Sequence, residues 1–144
     1  MGNLPKLKPH QRPSLIAGLS HVSVKGMEHG KGLVFSFKHF DRTQGQNFED
    51  WESNQLLSKM LNEFHGYCLR PHFAECLGSK FTVYGKFPGV SKFKHPKQVP
   101  PDADWTRIHI QGEPCVIGHM FQNIFYVVFL DREHQFWPSA KKHT

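Results

Sequence analysis

The stretch WTRIHIQGEPCVIGHMFQNIFYVVFLD, from Trp105 to Asp131, decides the fold. It contains three runs rich in β-branched and aromatic residues, WTRIHIQ, CVIGHMF and IFYVVFLD, which favour strands. Only Gly-Glu-Pro and Gln-Asn separate the runs, and links this short join antiparallel neighbours. The stretch therefore predicts two successive hairpins in one sheet.

The third run is predicted to be a central strand. Phe125 to Leu130 carry no polar side-chain group except the hydroxyl of Tyr126, so both faces of the strand should be covered. The strand should end at Asp131, because burying both Arg132 and Glu133 would carry a heavy desolvation cost.

The chain beyond this strand combines an apolar end with a titratable group. His134 should emerge at the end of the sheet, within reach of the strand that carries Arg107. Phe136 and Trp137 should fold back as a hydrophobic clasp, and Pro138 should prevent further strand pairing. Trp137 keeps two interpretations, since an aromatic ring can plug a sheet edge or stack on an RNA base.

The first part of the chain changes from a period of two to a helical period. GLVFSFKHF, from Gly32 to Phe40, alternates as a strand, and Asn47 is suited to cap a helix with an acidic first turn. Arg70-Pro71 forces a break, a short second helix can follow, and Lys80 to Phe87 is the next predicted strand. The apolar stripe of the helix consists of Phe48, Trp51, Leu57, Met60, Leu61, Phe64 and Cys68.

This order predicts an α+β fold, with a mainly antiparallel sheet of four to five strands and one or two helices packed on one face. Pro5, Pro9 and Pro13 stand among lysines, which favours an extended chain. We therefore divide the sequence into an extended basic N-terminal arm, residues 1–31, and a single α+β domain, residues 32–144.

Composition narrows the class of protein. With 144 residues the chain has room for one hydrophobic core, and thirteen Phe and three Trp can supply the buried area. No stretch is apolar for long enough to cross a membrane, and MGNLPKLKPHQRP lacks the apolar run of a signal peptide. Three cysteines at wide spacing favour reduced thiols and a cytoplasmic location.

Positive charge is concentrated in one segment. The formal net charge is +6, and residues 80–97 contain five lysines and no acid. A phosphate-bearing partner such as RNA would favour this segment, although a solvated lysine loop would carry the same charge. The predicted RNA-binding residues are Lys86, Lys92, Lys94, Lys97 and Trp137, with Lys141 and Lys142 closing the site from the C-terminal tail.

The sequence contains no motif for metal or nucleotide chemistry. HGYCLRPHFAEC, from His65 to Cys76, is the one Cys/His cluster along the chain, and its spacing matches no usual zinc framework. A phosphate-binding P-loop and a nucleophile elbow are also lacking. We therefore predict no metal site and no cofactor.

Arginine and histidine near the last three strands suggest RNA cleavage. A metal-free ribonuclease needs a base for the ribose 2′-hydroxyl, an acid for the leaving oxygen and cations around the phosphate. Histidine titrates near neutrality, and the arginine fork gives a phosphate two charge-assisted hydrogen bonds. The candidate catalytic residues are Arg107, His109, Arg132 and His134, although any one of eleven histidines can equally be a surface residue.

If both hairpins have two-residue turns, the pairing of the strands determines which side chains share a face of the sheet. Arg107 and His109 would share one face with Val116, Gly118 and Met120, and Gly118 opposite Arg107 would leave room for a ligand. His119 would stand opposite Tyr126. A single bulge would exchange the faces. The opposite face would hold Ile108, Ile110, Cys115, Ile117, Val128 and Leu130.

WTRIHIQGEPCVIGHMFQNIFYVVFLDREHQFW resembles the C-terminal half of the RelE/HigB-like toxin family. The shared pattern is an Arg-bearing strand, a Gly turn, a hairpin, a buried valine-rich strand and a basic, aromatic end. Arg107 matches the arginine of the family's first C-terminal strand, and Arg132 and His134 match its basic group after the last strand. The resemblance implies a RelE-like fold and an mRNA endonuclease that an antitoxin neutralises. The chain also resembles small bacterial proteins without an assigned activity.

The leading hypothesis is a small cytoplasmic toxin or defence-type endoribonuclease that cleaves RNA by metal-independent 2′-hydroxyl attack. Its partners would be RNA, including ribosome-bound mRNA, and an antitoxin or other protein, with no membrane. The alternative is a non-catalytic RNA-binding or protein-binding module of a larger bacterial system. Such a module would bind RNA in a salt-dependent way and release no product.

Overall fold

A computed structural model of the protein describes residues 31–138. Most of the predicted basic arm, together with Lys141 and Lys142, lies outside this range. The helices and strands of residues 31–138 occur in the predicted order, which confirms the α+β class. None of the helices in this part of the chain is long and apolar enough to cross a membrane. The elements are β1 (Val34–Ser36), α1 (Phe48–Ser53), α2 (Leu57–Cys68), a 3₁₀ turn (Phe73–Cys76), β2 (Phe81–Gly85), β3 (Asp104–His109), β4 (Cys115–Phe121) and β5 (Ile124–Asp131).

The five strands form one mixed sheet in the order β1-β5-β4-β3-β2. Neighbours from β2 to β5 are antiparallel, whereas β1 pairs with β5 in parallel. The prediction of a mainly antiparallel sheet is therefore wrong. After β1 the chain passes through both helices and enters the sheet at the opposite edge as β2. The following antiparallel steps then bring β5 back beside β1, and a parallel pair of this kind needs such a long crossover.

The helical segment is divided into two helices. Asn47 caps α1 as predicted, through a capping box in which its side chain accepts from the Asp50 N–H and the Asp50 carboxylate accepts from the Asn47 N–H. Gln55 has a positive φ of 61°, which separates α1 from α2 and redirects the chain. The predicted apolar stripe is wrong at Leu61 and Cys68, which are exposed.

Each face of the sheet has its own apolar core. The helices cover the helix-side core, which includes Trp51, Met60, Phe64, Tyr67, Ile108, Phe125 and Leu130. The loop-side core contains Val99, Trp105, Cys115, Ile117, Val128, Phe129 and Phe136. Phe87 and Phe93 of the lysine-rich loop pack against this second core. The loop is thus a structural cover for the face that α1 and α2 leave open.

β5 is an interior strand that both cores cover, as predicted. Phe125 and Val127 enter the helix-side core, and Val128 and Phe129 enter the loop-side core. The strand ends at Asp131, which confirms the expected boundary.

The turn between β3 and β4 spans residues 111–113, one residue more than predicted. Arg107 therefore stands opposite Ile117, and His109 stands opposite Cys115. The predicted faces are wrong because a shift of one residue exchanges the two sides of a strand. Arg107 and His109 belong to the loop-side face, whereas Val116 belongs to the helix-side core.

Gly118 is required by close packing. A Cβ at this position would lie 2.7 Å from Cε1 of Phe125 and would collide with the carbonyl oxygen of Tyr126. The predicted space for a ligand is therefore filled by β5, where a bulge shifts the register after Ile117. His119 does stand opposite Tyr126, as predicted.

Candidate functional site

Four chemically active side chains meet at one end of the sheet. Arg107 and His109 alternate along β3 and share its loop-side face, where Cys115 stands opposite His109. His134 reaches the same place from the chain after β5, with its Nε2 atom 3.2 Å from Nη1 of Arg107. This contact confirms that His134 lies within reach of the Arg107 strand. We call Arg107, His109, Cys115 and His134 the arginine–histidine cluster.

Hydrogen bonds fix the tautomer of each neutral imidazole in the cluster. A guanidinium only donates, so Nε2 of His134 accepts from Arg107 and the ring proton lies on Nδ1. A carbonyl only accepts, so Nδ1 of His109 donates to the Gly112 oxygen at 2.8 Å and Nε2 carries the lone pair. The two rings are roughly parallel, with centroids 5.5 Å apart and planes 27° apart. The two imidazoles therefore lie side by side next to Arg107.

The backbone around His134 is held in an unusual conformation. His134 has a φ of 61°, which is rare for a residue with a side chain. The buried carboxylate of Asp131 accepts from the N–H groups of Gln135 at 2.8 Å and Phe136 at 2.7 Å. Phe136 is anchored in the loop-side core. The turn that presents His134 is therefore fixed on both sides, as constrained backbone at functional sites often is.

Burial changes the acid–base properties of the cluster. It lowers the pKa of His109, and the nearby charge of Arg107 lowers that pKa further against the opposing hydrogen bond to Gly112. Burial also raises the pKa of the Cys115 thiol to about 12. At neutral pH, His109 is thus a neutral proton acceptor, and Cys115 is a thiol that donates to the Glu113 oxygen at 3.1 Å.

Aromatic rings border the cluster. The guanidinium carbon of Arg107 lies 4.9 Å from the centroid of the Tyr84 ring, and Tyr84 lies 4.0 Å from Trp137, centroid to centroid. Phe136 is buried in the loop-side core and Trp137 packs against that core, so the predicted clasp is confirmed. Trp137 remains half-buried, which leaves part of its ring open beside the cluster.

The other predicted site residues are more dispersed. The Arg132 guanidinium pairs with Glu133 at 3.6 Å, and among the described residues no hydrogen bond or ion pair joins it to the cluster. The backbone of Lys92 donates to the Gln135 oxygen at 3.1 Å, one residue after His134. Lys86, Lys92, Lys94 and Lys97 are all exposed, and they belong to the loop that covers the loop-side core.

Cys115 and Tyr84 belong to this site, but the sequence analysis missed both. A three-residue turn between β3 and β4 would have placed Cys115 beside His109, so turn length was the available signal. Tyr84 lies on β2, whose pairing with the Arg107 strand is a long-range contact that no local pattern reveals.

His109, Cys115 and His134 also form a group of metal-ligand types. One ligand atom from each residue can be chosen so that all three lie within 4.8 Å of one another. Within residues 31–138 this is the one such group of three or more, so HGYCLRPHFAEC does not form one. His134 is far from His109 and Cys115 along the chain, so no local spacing motif joins the three.

A cavity lies near the other end of β4. It has a volume of about 500 Å³, and its lining includes His39, His119 and Tyr126, whose rings are stacked. Nδ1 of His39 lies 2.9 Å from Nε2 of His119, so one of the two rings donates to the other. Burial, followed by the charges of His39 and His95, lowers the pKa of His119 to about 4. The sequence placed His119 opposite Tyr126 but gave no sign of its contact with His39.

Comparisons with known proteins give no family for the chain. No protein-family model matches it, and neither a curated protein nor a solved structure is significantly similar to it.

Proposed function

We propose that the protein is an endoribonuclease of toxin or defence type, which cleaves RNA by metal-independent attack of the ribose 2′-hydroxyl. The observation that carries this proposal is the contact of Arg107 with His134 beside His109 at an accessible sheet end. One phosphate-binding cation and two imidazoles are the groups that this reaction requires. The proposal includes a RelE-like fold, which the resemblance of the C-terminal half of the sequence to the RelE/HigB-like toxin family implies.

Arg107 binds the scissile phosphate in this mechanism. Its planar fork can give two charge-assisted hydrogen bonds to phosphate oxygens, and the Tyr84 ring beneath it restricts its orientation. The Nε atom of Arg107 is buried and has no partner among the described residues. The outer nitrogens are therefore the ones that reach the substrate.

His109 is the general base. Its Nδ1–H is held by the Gly112 oxygen, which directs the Nε2 lone pair toward an incoming hydroxyl proton. The lowered pKa keeps this nitrogen unprotonated at neutral pH. The base removes the 2′-hydroxyl proton while the 2′-oxygen forms a bond to phosphorus.

His134 is the general acid. Its Nε2 accepts from Arg107 in the unliganded protein, and a bound phosphate that takes over the guanidinium would release this nitrogen for protonation. The imidazolium then gives its proton to the departing 5′-oxygen as the phosphorus–oxygen bond breaks. The products are a 2′,3′-cyclic phosphate and a 5′-hydroxyl.

The test is cleavage of mRNA by the purified full chain in EDTA, with and without ribosomes. Arg107→Ala and His134→Ala should each lower the rate by at least about 100-fold. His65→Ala is the matched control, because His65 is an exposed histidine near the end of α2, and it should leave the rate unchanged. Cleavage no faster than that of the Arg107→Ala, His134→Ala double variant would refute the proposal.

A non-catalytic RNA-binding module is the second candidate. The exposed lysines of the loop between β2 and β3 favour it, because they supply phosphate contacts independently of the cluster. In that case RNA affinity would fall steeply as salt rises, no product would form, and the cluster variants would bind RNA as the unaltered protein does.

A further inference from the structure

The cluster contains a thiol that the proposed RNA cleavage does not use. Cys115 lies between β-sheet partners on both sides, opposite His109 on β3 and opposite Asp131 on β5. Side chains of directly paired residues project from the same face of a sheet. Cys115 is therefore held beside His109 by backbone pairing, independently of the order of the loop that carries His134.

We propose that His109, Cys115 and His134 bind a zinc ion through the Nδ1 atom of His109, the Sγ atom of Cys115 and one ring nitrogen of His134. Two imidazoles and one thiolate form a ligand set that suits zinc, and three protein ligands leave the fourth position to water. One ligand atom from each of the three residues already lies within 4.8 Å of the others.

The best-defined pair of ligand atoms matches a tetrahedral zinc site. Sγ of Cys115 lies 3.4 Å from Nδ1 of His109. Usual zinc–sulfur and zinc–nitrogen distances at a tetrahedral angle place these two atoms about 3.6 Å apart. The spacing of this pair already suits zinc. The Gly112 oxygen, which now accepts from Nδ1 of His109, has to move aside, and His134 has to come closer to the other two ligands.

Zinc binding changes the protonation of the cluster in a balanced way. The Cys115 thiol releases its proton to solvent, and its hydrogen bond to the Glu113 oxygen is replaced by the bond to zinc. The proton of His109 moves from Nδ1 to Nε2, which ends its hydrogen bond to Gly112. Cys115 is fully buried, so the ion enters from the side of the half-exposed histidines.

An occupied site would switch off RNA cleavage, and this part of the inference rests on the proposed function. His109 cannot serve as the base while Nδ1 binds zinc, because the ring proton then lies on Nε2. A zinc-bound His134 ring cannot become the imidazolium that acts as the acid. The zinc charge also lies beside the position of Arg107 and would displace its guanidinium from His134. Zinc would thus act as a reversible inhibitor of the same site.

The site is tested by titrating cobalt(II), a spectroscopic substitute for zinc, into the EDTA-treated full chain. Binding should produce the intense near-ultraviolet charge-transfer band of a cobalt–thiolate bond, and added zinc should abolish it. Cys115→Ala should abolish the band, and His109→Ala should weaken zinc affinity by at least about 100-fold. Cys68→Ala is the control, since Cys68 is exposed on α2 and outside the cluster, and it should leave the band intact.

Circular dichroism of each variant checks that the fold is kept. A missing thiolate band in the unaltered protein, or a band that survives in folded Cys115→Ala, would overturn the zinc site. RNA cleavage in EDTA without any cobalt binding would uphold the proposed function and refute only this inference. Cobalt binding combined with unchanged cleavage at saturating zinc would uphold the metal site and refute the inhibition.

Discussion

Nη1 of Arg107 lies 3.2 Å from Nε2 of His134, although 27 residues separate the two along the chain. β4 lies between β3 and β5 in the sheet, so the chain after β5 has to pass the end of β4 for His134 to contact Arg107. The Asp131 carboxylate fixes that turn by accepting from the backbone of Gln135 and Phe136. Arg107 and His134 are therefore one functional unit, which makes their substitutions informative.

The two candidate arginines should differ in their effect on RNA cleavage. Arg107→Lys keeps the charge but loses the planar fork, so the rate should fall by about 100-fold or more. Arg132→Lys should change the rate by less than about threefold, because Arg132 pairs with the exposed Glu133 outside the cluster. Rates are measured with saturating RNA in EDTA. Equal losses in both variants would show that Arg132 also contacts the substrate.

Phe136 should contribute more to stability than Trp137. The Phe136 ring is 1% exposed in the loop-side core, so Phe136→Ala should lower the free energy of unfolding by about 3–5 kcal/mol. Trp137 is half-buried, and Trp137→Ala should lower it by about 1–2 kcal/mol. Urea denaturation followed by fluorescence of the remaining tryptophans measures both values. A larger loss for Trp137→Ala would contradict this order.

Gly118 and Gly66 should respond oppositely to alanine. Gly118→Ala drives a methyl group into the ring of Phe125 and the backbone of β5, so the free energy of unfolding should fall by at least about 3 kcal/mol. Gly66 is exposed inside α2 with nothing within 4 Å of an added Cβ. Gly66→Ala should therefore raise stability by about 0.5–1 kcal/mol through helix propensity. Thermal unfolding of both variants gives the comparison.

His119 should make the fold sensitive to acid. Its pKa is about 4 in the folded protein and 6.5 without burial, so between these values the unfolded chain binds the extra proton. Stability is therefore complete above pH 6.5 and falls as the pH drops toward 4, by up to about 3 kcal/mol. His119→Gln removes the titrating imidazole. The free energy of unfolding of the variant should therefore fall less steeply between pH 6.5 and 4 than that of the unaltered protein. Urea denaturation at several pH values measures the slope, and identical slopes would contradict the assignment.

The sequence by itself determined which elements form. The uninterrupted apolar run from Phe125 to Leu130 specifies β5 as a strand covered on both faces, and the charges of Arg132 and Glu133 end it at Asp131. Asn47 followed by Asp50 specifies the start of α1 through local hydrogen bonds. These features depend on neighbours along the chain, so local physical rules were sufficient. The sequence also identified Arg107, His109 and His134 as members of one site.

Only the tertiary structure decided which side chains join them. The three-residue turn before β4 moved Cys115 to the face of His109, because one residue exchanges the two sides of a strand. Tyr84 and the parallel pairing of β1 with β5 depend on where distant segments enter the sheet. The His39–His119 pair arises in the same way, from residues 80 positions apart. Local patterns carry no record of such contacts, since many arrangements of the same elements bury their apolar faces equally well.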